Sequence, residues 1–189
     1  MAARHWAFIA ESLTELRAAL GALGQPLVLR TGDAIDVLAD LCDSHPIEGR
    51  WSHEETGDGW TFARDLRNGW AGHWDRLMGE PVTAAPQIAP IDVEPGGLPS
   101  AADLGLGADP CPLRQPGGRQ AGADLLQSFL TTRGHPYRAA MSSPVAGETA
   151  CSRLSPHLAF GTLSMREVAQ ATWARQRDLK DHPPKGVTK

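Results

Sequence analysis

The fold prediction depends most on residues 26–51, PLVLRTGDAIDVLADLCDSHPIEGRW. The run Pro26–Arg30 is short and apolar at its centre, which is typical of a buried strand. Asp33 stands where a helix N-cap is favoured, ahead of apolar residues at helical spacing. Ile47–Trp51 is predicted as a second strand. A strand, a helix and a strand in this order predict an α/β fold, a partial Rossmann-like parallel sheet covered by helices.

The α/β pattern continues upstream of residues 26–51, but it breaks downstream of them. Upstream, apolar residues recur at spacings of three and four along Trp6–Leu23, which predicts an amphipathic helix packed on the sheet. Leu27–Leu29 and Ile47–Trp51 are then expected to be adjacent parallel strands. Downstream, a helix is predicted over Asp58–Leu66, but no apolar strand follows it. The pattern therefore breaks near Arg67, either because the domain ends there or because sequence is missing at this junction.

The second half of the chain has a different composition. Eight of the 15 prolines fall within residues 79–120, and proline disfavours both helix and central strand. We interpret this stretch as an interdomain linker, with simple disorder as the alternative. Helical periodicity then returns, and Ser164 with Glu167 predicts a capping box for the last helix. The expected organisation is a partial α/β domain over 1–78, a Pro/Gly-rich linker over 79–120, and the opening part of an all-helical domain over 121–189.

Composition narrows the functional classes. The net charge is −4 over 189 residues, so no global basic field indicates nucleic acid, although a local basic face is compatible with it. The cysteines, Cys42, Cys111 and Cys151, form neither a CxxC metal motif nor a disulfide framework, which favours a reducing cytoplasm. No apolar run is long enough to cross a membrane, and the N-terminus lacks the apolar core of a signal peptide.

Two short motifs have simple structural explanations. Residues 53–56, HEET, contain one histidine, whereas a zinc helix needs two, four residues apart. We predict a solvated loop there rather than a metal site, with a small-molecule role as the alternative. Trp70, His73 and Trp74 have a spacing that suits stacking on a base or a flavin, but helix packing is the favoured interpretation.

The segment from Tyr137 to Ser155 carries the most chemical information. Ser155 followed by Pro156 predicts a helix start with a hydroxyl cap. Helix N-termini offer unpaired N–H groups to phosphate, and Ser152 and Arg153 add a hydroxyl donor and a positive charge beside this one. The same residues also make an ordinary helix cap, so local chemistry alone leaves both interpretations open.

Several stretches share the sequence pattern of one known family. CSRLSPHLA lies at 151–159 and GTLS at 161–164, with Tyr137 upstream in the place of the family's tyrosine. SHEETG at 52–57 and NGWAGHW at 68–74 are similar as well. On these residues the chain resembles the photolyase/cryptochrome flavoproteins.

The resemblance implies a flavin site in the helical part of the chain. The family's helical domain binds FAD, and the residues that match its contacts are Tyr137, Cys151, Ser152, Arg153, Leu154 and Ser155. Cys151 departs from the family's threonine and removes a hydroxyl. Met141 stands where well-known members have an arginine that meets DNA phosphate, which weakens the carry-over of DNA contact. No antenna chromophore, catalytic residue or metal ligand is assigned.

The implied function is that of a deoxyribodipyrimidine photolyase, a FAD-dependent carbon–carbon lyase that uses light to split pyrimidine dimers in damaged DNA. Family members are more than twice as long, so we expect an incomplete copy that lacks most of the active site and is inactive alone. The alternatives are a cryptochrome-type blue-light photoreceptor, a non-enzymatic α/β interaction module, and an inert truncated product. The sequence leaves the oligomeric state open.

Overall fold

A computed structural model describes residues 1–47, 49, 70–85, 89 and 91–183, and only the backbone of residues 70, 71 and 73. The regular elements of these residues are helices: α1 (Ala3–Ala22), α2 (Ala34–Ser44), α3 (Trp70–Gly79), α4 (Arg119–Ser128), a π-helical turn (Phe129–Arg133), α5 (Tyr137–Ala140), α6 (Gly147–Ala150), α7 (Ser155–Ala159) and α8 (Met165–Asp181). The described ranges contain no β-strand. No helix within them is long and apolar enough to cross a membrane.

The predicted parallel sheet is therefore wrong. Neither Leu27–Leu29 nor Ile47 belongs to a strand or helix. Most of the second predicted strand lies outside the described residues, as does the predicted Asp58–Leu66 helix. The Leu29 N–H donates instead to the Pro95 carbonyl at 2.7 Å. Proline has no N–H to return, so this contact cannot grow into a ladder.

The first two helices confirm the local signals. α1 ends in a Schellman motif, in which Gly24 has φ +73° and the Gln25 N–H donates to the Leu20 carbonyl at 2.9 Å. Asp33 caps α2 as predicted, because its carboxylate accepts from the Ile35 N–H at 2.9 Å. No residue of α2 is buried.

The proline-rich segment lies along α1. The Arg17 guanidinium donates to the Gly96 carbonyl at 2.9 Å, and the Trp6 indole donates to the Pro99 carbonyl at 3.2 Å. Arg4 then pairs with Asp109 at 2.8 Å. The segment thus runs from the C-terminal towards the N-terminal end of α1 and fixes its position along that helix.

The start of α4 is capped by side chains of α1. The Glu11 carboxylate binds the Arg114 guanidinium and accepts from the Gly117 N–H at 2.7 Å. The Ser12 hydroxyl accepts from the Gly118 N–H at 2.9 Å, and the Gln120 N–H donates to Glu15 at 3.1 Å. Orphan N–H groups at the start of α4 are thereby satisfied from another helix.

Close approach at this junction requires glycine. A Cβ at Gly117 would lie 2.0 Å from the Phe8 carbonyl oxygen. Gly118 has φ +94°, which side-chain-bearing residues rarely adopt. The Gly117-Gly118 pair therefore lets α1 rest directly on the start of α4.

The core of the described residues lies between α4, α7 and α8. Leu126, Leu154 and Leu163 are buried together. The partly buried residues packed on them are Leu125, Leu130, Leu158, Val168 and Ala171. Phe8 of α1 is 5% exposed and lies beside this cluster, with its ring centroid 5.1 Å from that of His157.

Side chains of α8 hold the C-terminal end of α3. The Arg166 guanidinium donates to the Leu77 carbonyl at 2.8 Å, and the Gln170 amide donates to the Met78 carbonyl at 2.8 Å. Free carbonyls at a helix C-terminus are favourable partners for such donors. Trp74 is half-buried in α3, while the side chains of Trp70 and His73 lie outside the described part.

The predicted capping box at the start of α8 is confirmed. The Ser164 hydroxyl accepts from the Glu167 N–H at 3.1 Å, and Glu167 accepts from the Ser164 N–H at 3.0 Å. Glu167 also binds Arg119 of α4. The Arg119 guanidinium lowers the pKa of Glu167 from 4.5 to about 2, and the Ser164 hydrogen bonds contribute.

We expect Glu167→Gln to reduce the acid sensitivity of folding. A carboxylate with a depressed pKa stabilises the fold above its ordinary pKa, and this contribution disappears as pH falls from about 4.5 towards about 2. Thermal melts at pH 7 and pH 2.5 should therefore differ less for Glu167→Gln than for the wild type. Glu148→Gln is the control, since the Glu148 side chain is 64% exposed. Equal changes in both variants would contradict the assignment.

Candidate functional site

Arg133, at the end of the π-helical turn, organises the predicted flavin run. Its guanidinium donates five hydrogen bonds, to the Leu125 carbonyl at 3.0 Å, the Ser128 hydroxyl at 2.9 Å, and the Thr149, Cys151 and Ser152 carbonyls at 3.2, 2.7 and 3.3 Å. One cation thus joins α4 to the segment that follows α6. We refer to these bonds as the Arg133 network.

Gln115 fixes the next residue of the run. Its side-chain amide donates to the Arg153 carbonyl at 2.7 Å. The carbonyls of residues 151–153 therefore all accept from Arg133 or Gln115. Because a trans peptide holds C=O and N–H in opposite directions, the N–H groups of residues 152–154 point away from these two side chains.

The N–H groups of residues 152–154 are not engaged within the described ranges. Neither they nor the Ser155 N–H donate to any residue in the described ranges. Arg153 has φ +63°, the left-handed conformation, and Leu154 returns to the right-handed region. Alternation of this kind turns successive N–H groups towards one point and forms a concavity that suits anions.

The side chains of the run have different environments. Cys151 and Ser152 are half-buried, and Ser155 is exposed at the start of α7. The Arg153 guanidinium lies 3.9 Å from the Glu148 carboxylate. Leu154 is 4% exposed and belongs to the core, so its side chain is not available to a ligand.

The predicted hydroxyl cap at Ser155 is wrong. The N-cap residue of α7 is Leu154, and no side chain caps this helix. Ser155 is already the first helical residue, so its hydroxyl lies one position too late to accept from the first turn. Pro156, expected at the first helical position after that cap, is accordingly the second residue of α7.

Tyr137 begins α5, which packs against α6. Its ring is 38% exposed and meets the Phe129 ring edge-on, with centroids 5.6 Å apart. Phe129 opens the π-helical turn that ends at Arg133. Tyr137 therefore lies on a short helix that packs against α6, and the 151–155 run directly follows α6.

Two cavities among the described residues lie elsewhere. A cavity of about 270 Å³ between α1 and α7 is lined mainly by Ile9, Leu13, Leu16 and Phe160. A groove of about 600 Å³ lies between α4 and α8. Neither is lined by Tyr137 or by residues 151–155. The described residues contain no group of three or more side chains able to hold a metal ion.

Sequence reasoning missed Arg133 and Gln115. Both bind backbone carbonyls rather than charged side chains, and they lie 18 and 38 residues from their partners Cys151 and Arg153. Their residue types carry no signal for such bonds. The one available signal was the position of Arg133 at the end of an apolar helical face, which could have suggested that its side chain caps that helix.

Comparison with known proteins identifies the family that the chain resembles. The family model for DNA photolyase matches residues 1–56. The chain is 37% identical over 99 residues to a deoxyribodipyrimidine photo-lyase of Halobacterium salinarum, a match that covers 52% of this chain and 20% of that relative. The chain thus spans about a fifth of the relative's length. The resemblance to DNA photolyases is confirmed, and the family model places it in the N-terminal segment.

Proposed function

We propose that this chain carries part of a FAD-dependent photolyase that repairs pyrimidine dimers in DNA. The observation that carries the proposal is the 37% identity to the Halobacterium salinarum deoxyribodipyrimidine photo-lyase. The match covers a fifth of that protein. The proposed repair activity is therefore that of a complete photolyase, and this chain is proposed to supply only part of such an enzyme. Damaged DNA is the proposed partner. Three free cysteines fit the reducing cytoplasm in which we place the protein.

The geometry of residues 152–155 supports a role in flavin binding. Their free N–H groups suit the negative diphosphate of FAD, and the Ser152 and Ser155 hydroxyls make no hydrogen bond to a described residue. Arg153 adds a positive charge beside them. The residues present therefore fit a dinucleotide phosphate, held mainly by backbone groups.

The remaining proposed contacts have lesser roles. Cys151 supplies its carbonyl to the Arg133 network, and Leu154 joins the run to the core. Tyr137 offers a partly exposed ring edge-on to Phe129. FAD, when bound, supplies the light-driven electron transfer of the reaction. The proposed role of this chain's residues is to bind the diphosphate and orient the cofactor.

We expect the isolated chain to bind FAD with a dissociation constant weaker than micromolar and to show no photorepair. Each hydrogen bond to the diphosphate contributes only about 1 kcal/mol net, while association costs at least about 4 kcal/mol. Residues 152–155 form only one wall of a flavin pocket, and they line neither of the cavities described above. Titration of the purified chain with FAD, followed by flavin fluorescence and calorimetry, measures this affinity.

The control separates a specific site from surface adsorption. Ser152→Ala/Ser155→Ala removes the two hydroxyls of the run, and Ser44→Ala removes an exposed hydroxyl at the end of α2. Micromolar or tighter binding that disappears only in the double variant would show that the chain has a complete site by itself.

The proposed function is tested in a complete enzyme. We suggest a chimera in which residues 119–183 replace the corresponding segment of the Halobacterium salinarum photo-lyase. The chimera is expected to purify with FAD and to repair dimers in light, and Ser152→Ala/Ser155→Ala in the chimera is expected to weaken FAD binding. A folded chimera without flavin would contradict the assignment of residues 151–155.

A further inference from the structure

His157 is a fully buried titratable residue at the junction of α1 with the helical core. Its exposed fraction is 0%. The Phe8 ring of α1 meets the imidazole at a centroid distance of 5.1 Å and an angle of 61°. On the α4 side, a Cβ at Gly122 would lie 2.8 Å from Nδ1. The ring is therefore enclosed between α1, α4 and its own helix α7, and it is closed to bulk solvent.

The two ring nitrogens have unequal surroundings. Nδ1 lies 2.8 Å from the Thr162 hydroxyl. Nε2 is buried and has no hydrogen-bond partner in the described ranges. Burial lowers the pKa of His157. The Gly118 backbone favours the protonated ring and so opposes this lowering, but it does not reach hydrogen-bond geometry with the buried Nε2. A protonated ring would carry a second N–H with no acceptor, which is costly in a buried site.

The charged groups on the surrounding elements are paired with one another. On the α1 side Glu11 binds Arg114, and Glu15 accepts from the Gln120 N–H. On the α4 side Arg119 binds Glu167 of α8. Because their carboxylates are already engaged, no described charge balances a proton on His157 by direct contact.

We propose that His157 is a pH-sensitive switch that holds α1 on the helical core when neutral and releases it when protonated. The released state exposes the ring to water, where it takes up a proton with an ordinary pKa of about 6.5. The docked state binds that proton only at lower pH. Stability of the docked state is therefore complete above about pH 6.5 and falls as pH decreases below it. The carboxylates act in a lower window, since the pKa values of Glu11 and Glu167 are lowered from 4.5.

Hydrogen exchange of the full chain tests this proposal. Between pH 7.5 and 5.5, after correction for intrinsic exchange rates, the opening equilibrium of residues 5–16 in the wild type should increase by up to about tenfold. That is the ratio of protonated to neutral imidazole at pH 5.5 in the released state, whose pKa is about 6.5. His157→Gln should remove this increase. His135→Gln is the matched control, since His135 is exposed, and it should keep the increase. An equal increase in wild type and His157→Gln would overturn the proposal.

A second measurement on the wild type does not depend on the variant folding. The pKa of His157 in the folded chain, followed through its imidazole resonance by NMR, should lie below the ordinary value of about 6.5. Titration of this resonance with a midpoint near 6.5, without loss of α1 protection, would overturn the proposal.

Discussion

Replacing Phe8 with alanine is expected to lower the free energy of unfolding by about 3–5 kcal/mol, the usual cost of removing a buried phenylalanine ring. Phe8 is 5% exposed and contacts the rings of His157 and Phe160, with centroids 5.1 and 5.4 Å away. The other contacts of α1 described above are hydrogen bonds and ion pairs near the surface, and these contribute less. Urea denaturation followed by far-ultraviolet circular dichroism measures the change.

The matched control lies on the same helix. Leu16 is 45% exposed, so Leu16→Ala should change the free energy of unfolding by less than about 1 kcal/mol. A loss for Phe8→Ala no larger than that for Leu16→Ala would mean that the Phe8 contact does not anchor α1.

The helices could be predicted from sequence because their signals are local. The apolar spacing along Trp6–Leu23 predicted α1, and Asp33 predicted the start of α2; both are confirmed. The Ser164–Glu167 capping box is likewise formed within four consecutive residues. Each signal depends on neighbours within one or two helical turns, so tertiary packing does not override it.

The strand prediction failed because pairing is not local. The Leu27–Leu29 run is apolar enough for a strand, but a strand exists only through a partner's hydrogen bonds. The partner of Leu29 is Pro95, 66 positions away. Gly96 permits this approach, since a Cβ there would lie 2.4 Å from the Leu29 carbonyl oxygen. No periodicity near Leu29 contains that information.

The flavin run was located by resemblance, whereas its conformation depends on distant residues. The sequence predicted a cap at Ser155, but Leu154 is the N-cap, and Arg133 and Gln115 orient the carbonyls of the run. Similarity to DNA photolyase over residues 1–56 coexists with an unpaired Leu27–Leu29 segment. Sequence similarity indicates which side chains are compatible with a strand, but a strand forms only when a second strand pairs with it.

Replacing Arg133 with alanine is the second change with a large expected effect. The variant removes five hydrogen bonds and leaves the carbonyls of Thr149, Cys151 and Ser152 without their cationic donor. Hydrogen bonds to a charged group contribute about 1.5–3 kcal/mol each, and these acceptors are only part-buried, so their loss costs less than that of fully buried ones. We expect a loss of at least about 2 kcal/mol in the free energy of unfolding, measured by urea denaturation.

The Arg133 network also makes a prediction about residues 152–155 that separates positioning from general stability. In Arg133→Ala the carbonyls of residues 151–152 can rotate, so the backbone amide resonances of residues 152–155 should shift or broaden while those of α8 stay unchanged. Arg133→Lys keeps the charge but offers three donors from one atom, which cannot reproduce the planar fork, so it should rescue the shifts only in part. Arg138→Ala is the control, because Arg138 is exposed on α5 and removes the same charge. Equal losses of stability in Arg133→Ala and Arg138→Ala, with unchanged resonances at residues 152–155, would mean that the run holds its conformation without Arg133.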